Sequence, residues 1–570
     1  MSKISTKPVF PTGPEDAKIL VIGEAPGADE EREGKPFVGR AGEILWDAFK
    51  RYGISRDQVR VTNLSEYRPE NNIFAFLAGS DQLIEGIKHI YEYLIDHKPN
   101  VVALVGDKPL QYLTGRNGIY AQRSSILPLL NLPKQKCVPI LHPAGLFRFP
   151  QSYLFFDFDV RRVVEESLSS EFNYTPREYI LVKDFLLPDV YEELMSSPLL
   201  GVDIEVSKKD KVPINICFAV SRNKSVSVAW NQHNFPLIKS ILENPQITKV
   251  FHYGFMFDIE CLFLYGINVA GQIHDTYVMQ QVLDPTLPRS LAFLTTTYTR
   301  EPYYKKVGRD GIPEDTKVWS DRVDKDELFV YNAKDGAVTV EIYEKIRNNL
   351  EIDNLYDYYL FKLQSASAAQ KISRQGLLLD TERQDLFKRA LLYKWTRLQQ
   401  VLNMFCNRQV NANSSQGKTS IQHLLYEEIG LPARRNREGK PRADEKALLS
   451  LIAYCQGEVD TKKTEKSKSE WTVKLEICKI IIEIRQIRKL LSSYLDVDIS
   501  LDGRIRSMFN SSGTETSRWS ASKYVDDTGL NAMTFPRGSV PIPDDLPEGD
   551  IESKLIIEQL KEEMTKGEEE

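Results

Sequence analysis

The sequence predicts a chain of several domains, α/β over its first 350 residues and α-helical beyond, and three observations carry that prediction. Short apolar runs such as AKILVIG, NVVALVG and LLGVDIEV alternate with helix-period stretches, the signature of sheets flanked by helices. From Glu351 onward, long stretches place apolar residues three and four apart, the spacing of amphipathic helices. The length, 570 residues, exceeds what one hydrophobic core organises, about 250 to 300 residues, so about three or four domains are expected.

In chain order, residues 1–18 read as a short arm without the apolar core of a signal peptide. AKILVIGEAP is a buried strand running into a Gly/Pro turn, VRVTNLSEYRP a second strand, Gln82 to His97 a helix, NVVALVG a third strand, and VPILHP a fourth. Residues 166–176 read as a Ser-rich linker, followed by strands over 199–205, 215–220 and 225–230. Beyond Glu351 come two long helices, the first ended by Gly376. The segment GEVDTKKTEKSKSEW reads as a polar, mobile connector between later helices.

Composition excludes several classes. The apolar fraction of 42% and charged fraction of 27% are those of soluble protein, and no apolar run approaches the roughly 20 residues of a membrane span. Six cysteines without a C-x-x-C pair argue against a disulfide framework or a zinc site and for a reducing, cytoplasmic compartment. The net charge of −6 is uneven: residues 541–570 hold eleven acids and three lysines, a net of −8, so the rest carries +2. Local basic runs within that remainder suit a phosphate polymer.

The acids single out one region. Asp203 and Glu205, two apart at the end of an apolar run, point one way on a strand. Asp258 follows a short strand, on a predicted helix, and Tyr331 and Asp335, four apart, share a helix face. This constellation, with the segment HDTYVMQQVLDPTLPRSLAFLTTTY, resembles the DEDD 3′-to-5′ exonuclease domain of family A DNA polymerases, over about 176–350. The resemblance implies a ribonuclease H-like fold and two divalent metal ions, Mg²⁺ or Mn²⁺, about 4 Å apart on the scissile phosphate. It assigns Asp203, Glu205, Asp258 and Asp335 as metal-binding acids and Tyr331 as the residue orienting the attacking water. Where the family has Asn four residues before the second-motif Asp, this chain has Gly254.

Over residues 1–170, GEAPG (Gly23 to Gly27), PFVG and HPAGLFR, in that order on a parallel α/β pattern, resemble the uracil-DNA glycosylase superfamily, especially its family 4. The resemblance places Glu24 in the wall of a flipped-base pocket, Phe37 against the base, Asn63 on the base edge, and His142 at the base oxygen that gains charge. Family 4 holds an iron-sulfur cluster by cysteines, one of them where this chain has Tyr67. With Cys137 the only cysteine in this region, no iron-sulfur cluster can be built. Either packing replaces the cluster, or the domain is a non-catalytic DNA-binding or base-sensing module.

The helical region 351–500 resembles the thumb of family A DNA polymerases, in its NANSS segment, its basic Gly-Lys-Pro hairpin and an Arg/Lys helix ending Ser-Ser-Tyr. Arg434, Arg435, Arg437, Lys440, Arg442, Lys489, Ser492, Ser493 and Tyr494 are the implied phosphate contacts. In 501–540, Thr514, Thr516, Arg518, Ser520, Ser522, Asn531 and Pro536 match the entry of the polymerase palm, a partial palm followed by the acidic tail 541–570. The catalytic palm motifs of that family, Asp-Tyr-Ser-Gln and His-Asp-Glu, do not occur.

The layout resembles DNA polymerases of large tailed bacteriophages, which implies the N-terminal portion of a replicative polymerase with proofreading, working on primer-template and single-stranded 3′ ends in the host cytoplasm. Polymerisation is then expected to need a separate palm and fingers polypeptide, the early stop reflecting a split gene, an intron or an intein. Two alternatives stay open: a stand-alone base-excision and exonuclease repair protein, and a non-catalytic primer-template-binding subunit of a split polymerase.

Overall fold

The computed structural model describes residues 3–207, 211–307, 313–314, 318–319, 325–414, 417–436 and 439–534. Arg437, Pro536 and the tail 541–570 lie outside the described residues. The chain divides into two compact units, one of residues 1–368 with 510–519, the other of residues 369–509 with 520–570. Among the described residues no helix is long and apolar enough to cross a membrane.

The first unit is built on two large sheets, with small two-stranded pairs beside them. In the N-terminal one, strands Val59–Asn63, Ile19–Gly23, Val101–Val105 and Lys136–Ile140 lie side by side in that order, all parallel, and Leu127–Pro128 adds an antiparallel edge. The central strands are continuous apolar runs because helices cover both faces: Ile19 to Gly23 and Val101 to Val105 are buried throughout. After Ile19–Gly23 the chain moves to one side for Val59–Asn63 and then to the other for Val101–Val105. This reversal opens a crevice at the strands' carboxyl ends, the place where such sheets bind ligands. The predicted helix is Asp81–His97, capped by the Ser80 side chain on the Leu83 N–H.

The second sheet runs Ile273–Asp275, Thr248–Phe251, Leu199–Ser207, Pro213–Ser221, Lys224–Ala229, Glu178–Val182, with Val318–Trp319 also paired to Leu199–Ser207. Leu199–Ser207 is parallel to Thr248–Phe251 and antiparallel to Pro213–Ser221. Helix Lys325–Ile352 lies across this sheet at backbone contact, which two glycines permit. A Cβ on Gly201 would strike Val340 and the Gly336 carbonyl, and one on Gly336 would stand 2.5 Å from Cys217 Sγ. The close approach brings Asp335 down onto the strand that carries Asp203. Residues 510–519 also belong to this unit: Lys362 Nζ donates to Ser511 O at 3.2 Å, Gln281 Nε2 to Ser517 Oγ at 2.7 Å, and Arg289 to Ser512 O.

The second unit is helical, built on Thr381–Cys406, Glu445–Thr461 and Glu465–Leu490, whose Leu and Ile faces enclose one core. Gly376 ends the preceding helix Tyr356–Gln375 at φ 57°, as expected, and Leu377–Leu378 pairs with Arg504–Ile505.

Two expectations are corrected. The stretch from Gly457 to Trp471 is not a mobile connector but two helix ends joined at 462–464, because its Lys and Glu are good helix formers and Thr464 caps the second helix on the Ser467 N–H. Nor are residues 166–176 a plain linker: Glu166 closes helix Tyr153–Ser167 and is buried against Lys136 at 2.8 Å, since a lysine on an interior strand needs a counter-charge.

Candidate active site

The sheet and helix of the second fold build one acidic site. Asp203 and Glu205 project from the same face of Leu199–Ser207, and both are buried. Asp335 reaches them from helix Lys325–Ile352, and carboxylate oxygens of the three lie within 4.8 Å of one another. Asp258 is seated differently. It opens helix Asp258–Leu264, and its Oδ1 accepts the Ile204 N–H at 3.1 Å, so it braces the strand between Asp203 and Glu205 and is not one of the three clustered acids. A carboxylate at the first turn of a helix facing a strand N–H is drawn to that donor. Gly254 lies in the tight turn Gly254–Met256 just before it.

Three residues that sequence reading missed complete the site. Asn332, one turn-step from Tyr331, donates to Asp203 Oδ2 at 3.0 Å and to the Asp203 carbonyl at 3.1 Å. Its own Oδ1 accepts from Asn215 Nδ2 and Ser227 Oγ, so a buried amide relay fixes the Asp203 side chain to two strands. Lys305 Nζ donates to Tyr331 Oη at 2.6 Å and is ion-paired with Asp335 Oδ2. Tyr304 OH donates to the other Asp335 oxygen. Lys305 thus holds the Tyr331 hydroxyl and the Asp335 carboxylate together. Burial, outweighing the Lys305 ammonium, holds the Asp335 carboxyl above the usual carboxylate range. Asn332 carried a detectable signal, sitting between two motif residues on one helix; Lys305 and Tyr304 carried none, being some 30 positions from Asp335 without a motif.

The donor set fits a hard divalent cation. Three carboxylates this close repel one another when ionised, and oxygen-only ligands on rigid elements are what such a cation takes.

The first sheet builds a cleft of about 730 Å³ at its strand ends, lined among others by Glu24, Phe37, Asn63, Asp107 and His142. All four glycosylase-like candidates are therefore brought together. Gly23 has room for no side chain, since a Cβ would collide with Asn63 Oδ1 and the Phe37 ring. Phe37, at φ 52°, is held in this uncommon conformation by hydrogen bonds: its N–H donates to Glu30, and its carbonyl accepts from Trp46 Nε1 at 2.9 Å and Arg56 at 3.0 Å. Glu30 was missed by sequence reading, though its place after GEAPG was a hint. Asn63 Nδ2 is buried at the cleft wall with no hydrogen-bond partner among the described residues. His142 Nδ1 accepts the Ala144 N–H at 3.2 Å, which places the ring proton on Nε2. Dense protein around the ring pushes its pKa down to about 4, although the cleft still admits solvent to one edge. Burial also raises Glu24.

In the helical unit the candidates are scattered over its surface. Lys440, Lys489 and Ser492 are exposed; Arg435 donates to Gly439 O at 2.7 Å, Arg442 pairs with Asp444, Arg434 is half-buried, and Tyr494 OH donates to Thr534 O. In the segment 510–519, which belongs to the first unit, Thr514 closes a turn, accepting the Arg518 N–H at 2.9 Å, with Thr516 and Arg518 exposed beside it.

Comparison with known proteins gives these two sites their class. The uracil-DNA glycosylase superfamily profile matches residues 10–166, and a 3′-5′ exonuclease profile matches residues 180–351. The Type-4 uracil-DNA glycosylase of Saccharolobus solfataricus is 30% identical over 166 residues, 28% of this chain and 75% of that protein. Through its first domain the chain thus belongs to the uracil-DNA glycosylase superfamily, and its second is a 3′-5′ exonuclease domain. In the combination it is a homologue of phage DNA polymerases: that of Escherichia phage T5 is 23% identical over 485 residues, 76% of this chain. The chain spans about half, 52%, of that polymerase's length. Among solved structures, the POL domain of Pol1 from M. smegmatis in complex with DNA primer-template and dNTP has a TM-score of 0.44 at 15% identity, over 63% of this chain and 56% of that one.

Proposed function

We propose that the chain removes nucleotides from the 3′ end of DNA as the N-terminal, proofreading portion of a phage-type family A DNA polymerase. The observation that carries this reading is the cluster of Asp203, Glu205 and Asp335, buried on rigid elements with oxygens within 4.8 Å. These acids, with Asp258 as the fourth, would hold two divalent ions, which neutralise the scissile phosphate and lower the pKa of the attacking water. Asn332 keeps Asp203 turned into the site, and Tyr331, its hydroxyl fixed by Lys305, would orient the attacking water. The test is digestion of a 5′-labelled single strand by the purified chain with Mg²⁺ or Mn²⁺. Asp203→Ala with Glu205→Ala should slow it by several orders of magnitude, about 10³-fold or more. Undiminished digestion by that double variant sinks the assignment.

The first domain we assign to holding an extruded base, because a buried amide without a partner at a cleft wall costs about 1–3 kcal/mol until a ligand acceptor reaches it. Asn63 would read the base edge, Phe37 stack on it, and neutral His142 donate from Nε2 to a base oxygen. Titrating the Asp203→Ala chain with uracil-containing and normal oligonucleotides, while assaying free uracil, separates binding from excision. The domain limits we assign are 1–170, 176–350, 351–500, 501–540 and 541–570, with the third and fourth gripping primer-template through the exposed Lys440, Lys489, Thr516 and Arg518. Nucleotide addition belongs, in this reading, to the assembly formed with palm and fingers.

A further inference from the structure

Seven residues, Thr299 to Lys305, run from the glycosylase-like domain to the exonuclease acids, and both ends are fastened. At the first end Arg162, from helix Tyr153–Ser167, donates to Thr299 O, and Arg300 forms a two-pronged pair with Glu166 at 2.7 and 3.0 Å. In the middle the Tyr303 N–H donates to Ser125 Oγ at 3.3 Å, its carbonyl accepts from Arg116 at 3.2 Å, and its ring is buried against Ala121. At the far end Tyr304 and Lys305 hold Asp335 and Tyr331. The Tyr303 backbone is held by the first domain, its ring packs with both Ala121 and Ala292, and Glu301 within the segment pairs with Arg177 and Lys334 of the exonuclease domain. Only two residues, about 7 Å of extended chain, separate Tyr303 from Lys305.

We infer that the glycosylase-like domain is a structural part of the exonuclease site: it clamps Thr299–Tyr303 so that Lys305, a positioning residue, fixes the Tyr331 hydroxyl and the Asp335 carboxylate for nucleotide removal. The inference rests on the proofreading reading above. Its physical basis is that a flexible lysine holds two groups in register only when its backbone is fixed, and misplacement by about 1 Å can cost about a hundredfold in rate. A binding role for the cleft does not require this clamp, whose residues Arg116, Ser125 and Arg162 lie away from Asn63 and Phe37 in the chain.

The test uses the full chain. Lys305→Ala should lower kcat about a hundredfold with KM for the oligonucleotide little changed, and Lys305→Arg should restore part of the loss. Ser125→Ala removes one oxygen and spares the fold; with Arg116→Ala it should lower kcat about tenfold, whereas Lys88→Ala on the same domain's outer helix should not. Because the clamp acts through Lys305, adding Ser125→Ala and Arg116→Ala to Lys305→Ala should cost nothing further. A second readout needs neither metal nor DNA: in the double clamp variant, amide hydrogen exchange should rise at 303–305 while helix Lys325–Ile352 keeps its protection. Additive losses, or unchanged exchange at 303–305, overturn the inference. If the wild-type chain digests no DNA, the proofreading reading falls, and exchange alone still decides whether the clamp exists.

Discussion

At the scale of single residues, two histidines, one half-buried in the cleft and one buried, make stability depend on pH. His142 and His274 are each pushed down to about 4 by burial, His274 with a smaller contribution from Arg347. His274 also hydrogen-bonds Tyr359 at 2.9 Å beneath a stacked ring. Between about pH 6.5 and 4 an unfolded chain binds protons at these positions that the folded chain refuses, so stability rises with pH across that window and is lost as pH falls. The expected slope is about 1.4 kcal/mol per pH unit for each histidine. Urea unfolding at pH 6.5, 5.8 and 5.2 measures it, and a profile no flatter in His142→Asn with His274→Gln would contradict the assignment. Legibility also divides at this scale. Asp203 and Glu205 could be read because a strand's period of two is local, and Tyr331 and Asp335 because a helical turn is. Lys305 could not, for nothing in its neighbourhood says that 30 residues later an aspartate will need it.

At the scale of elements, apolar runs marked the central strands of both sheets, and the helix carrying Asp335 followed from its spacing, whereas Glu178–Val182, Ile273–Asp275 and the short edge strand Leu127–Pro128 were not read. What escaped was the distance between helix and sheet. That depends on Gly201 and Gly336 facing across an interface, which needs the pairing of elements far apart in sequence. Gly336→Ala tests it: the new methyl meets Cys217 Sγ, so the helix must lift or repack at about 1–3 kcal/mol. Thermal unfolding should show that loss, and digestion should slow because Asp335 rises off the strand. Unchanged stability and rate would mean that the sheet yields at no cost. The helical stretch around Thr464 was misread for the opposite reason. Its composition looked disordered, yet Trp471 rests edge-on against Tyr454, with ring centroids 5.7 Å apart, and that apolar contact tips a charged segment into order.

At the scale of the whole first unit, buried charge joins its two domains. Lys136 and Arg300 share Glu166, and the pairing holds the Glu166 carboxyl below the usual carboxylate range although burial acts against it. Glu166→Gln leaves the Lys136 ammonium buried with no carboxylate partner and the Glu171 carbonyl as an acceptor at 3.0 Å, and should cost about 3 kcal/mol in urea unfolding. A loss under about 1 kcal/mol, the range of an exposed ion pair, would show that water reaches the site.

Residues 510–519 pack in the first unit although residues 369–509 of the second intervene. On a ribosome this imposes an order. Lys362 and Arg289 emerge long before the carbonyls of Ser511 and Ser512 that receive them. At about 5–20 residues per second the roughly 140 intervening residues take about 7 to 28 seconds to synthesise. During that interval the nascent first unit has its two large sheets and its acids but lacks the carbonyls of Ser511 and Ser512 that Lys362 and Arg289 meet in the finished fold. The first unit is therefore completed by a stretch of chain that leaves the tunnel after everything else in that unit, and residues of the helical unit from Ser520 onward follow later still.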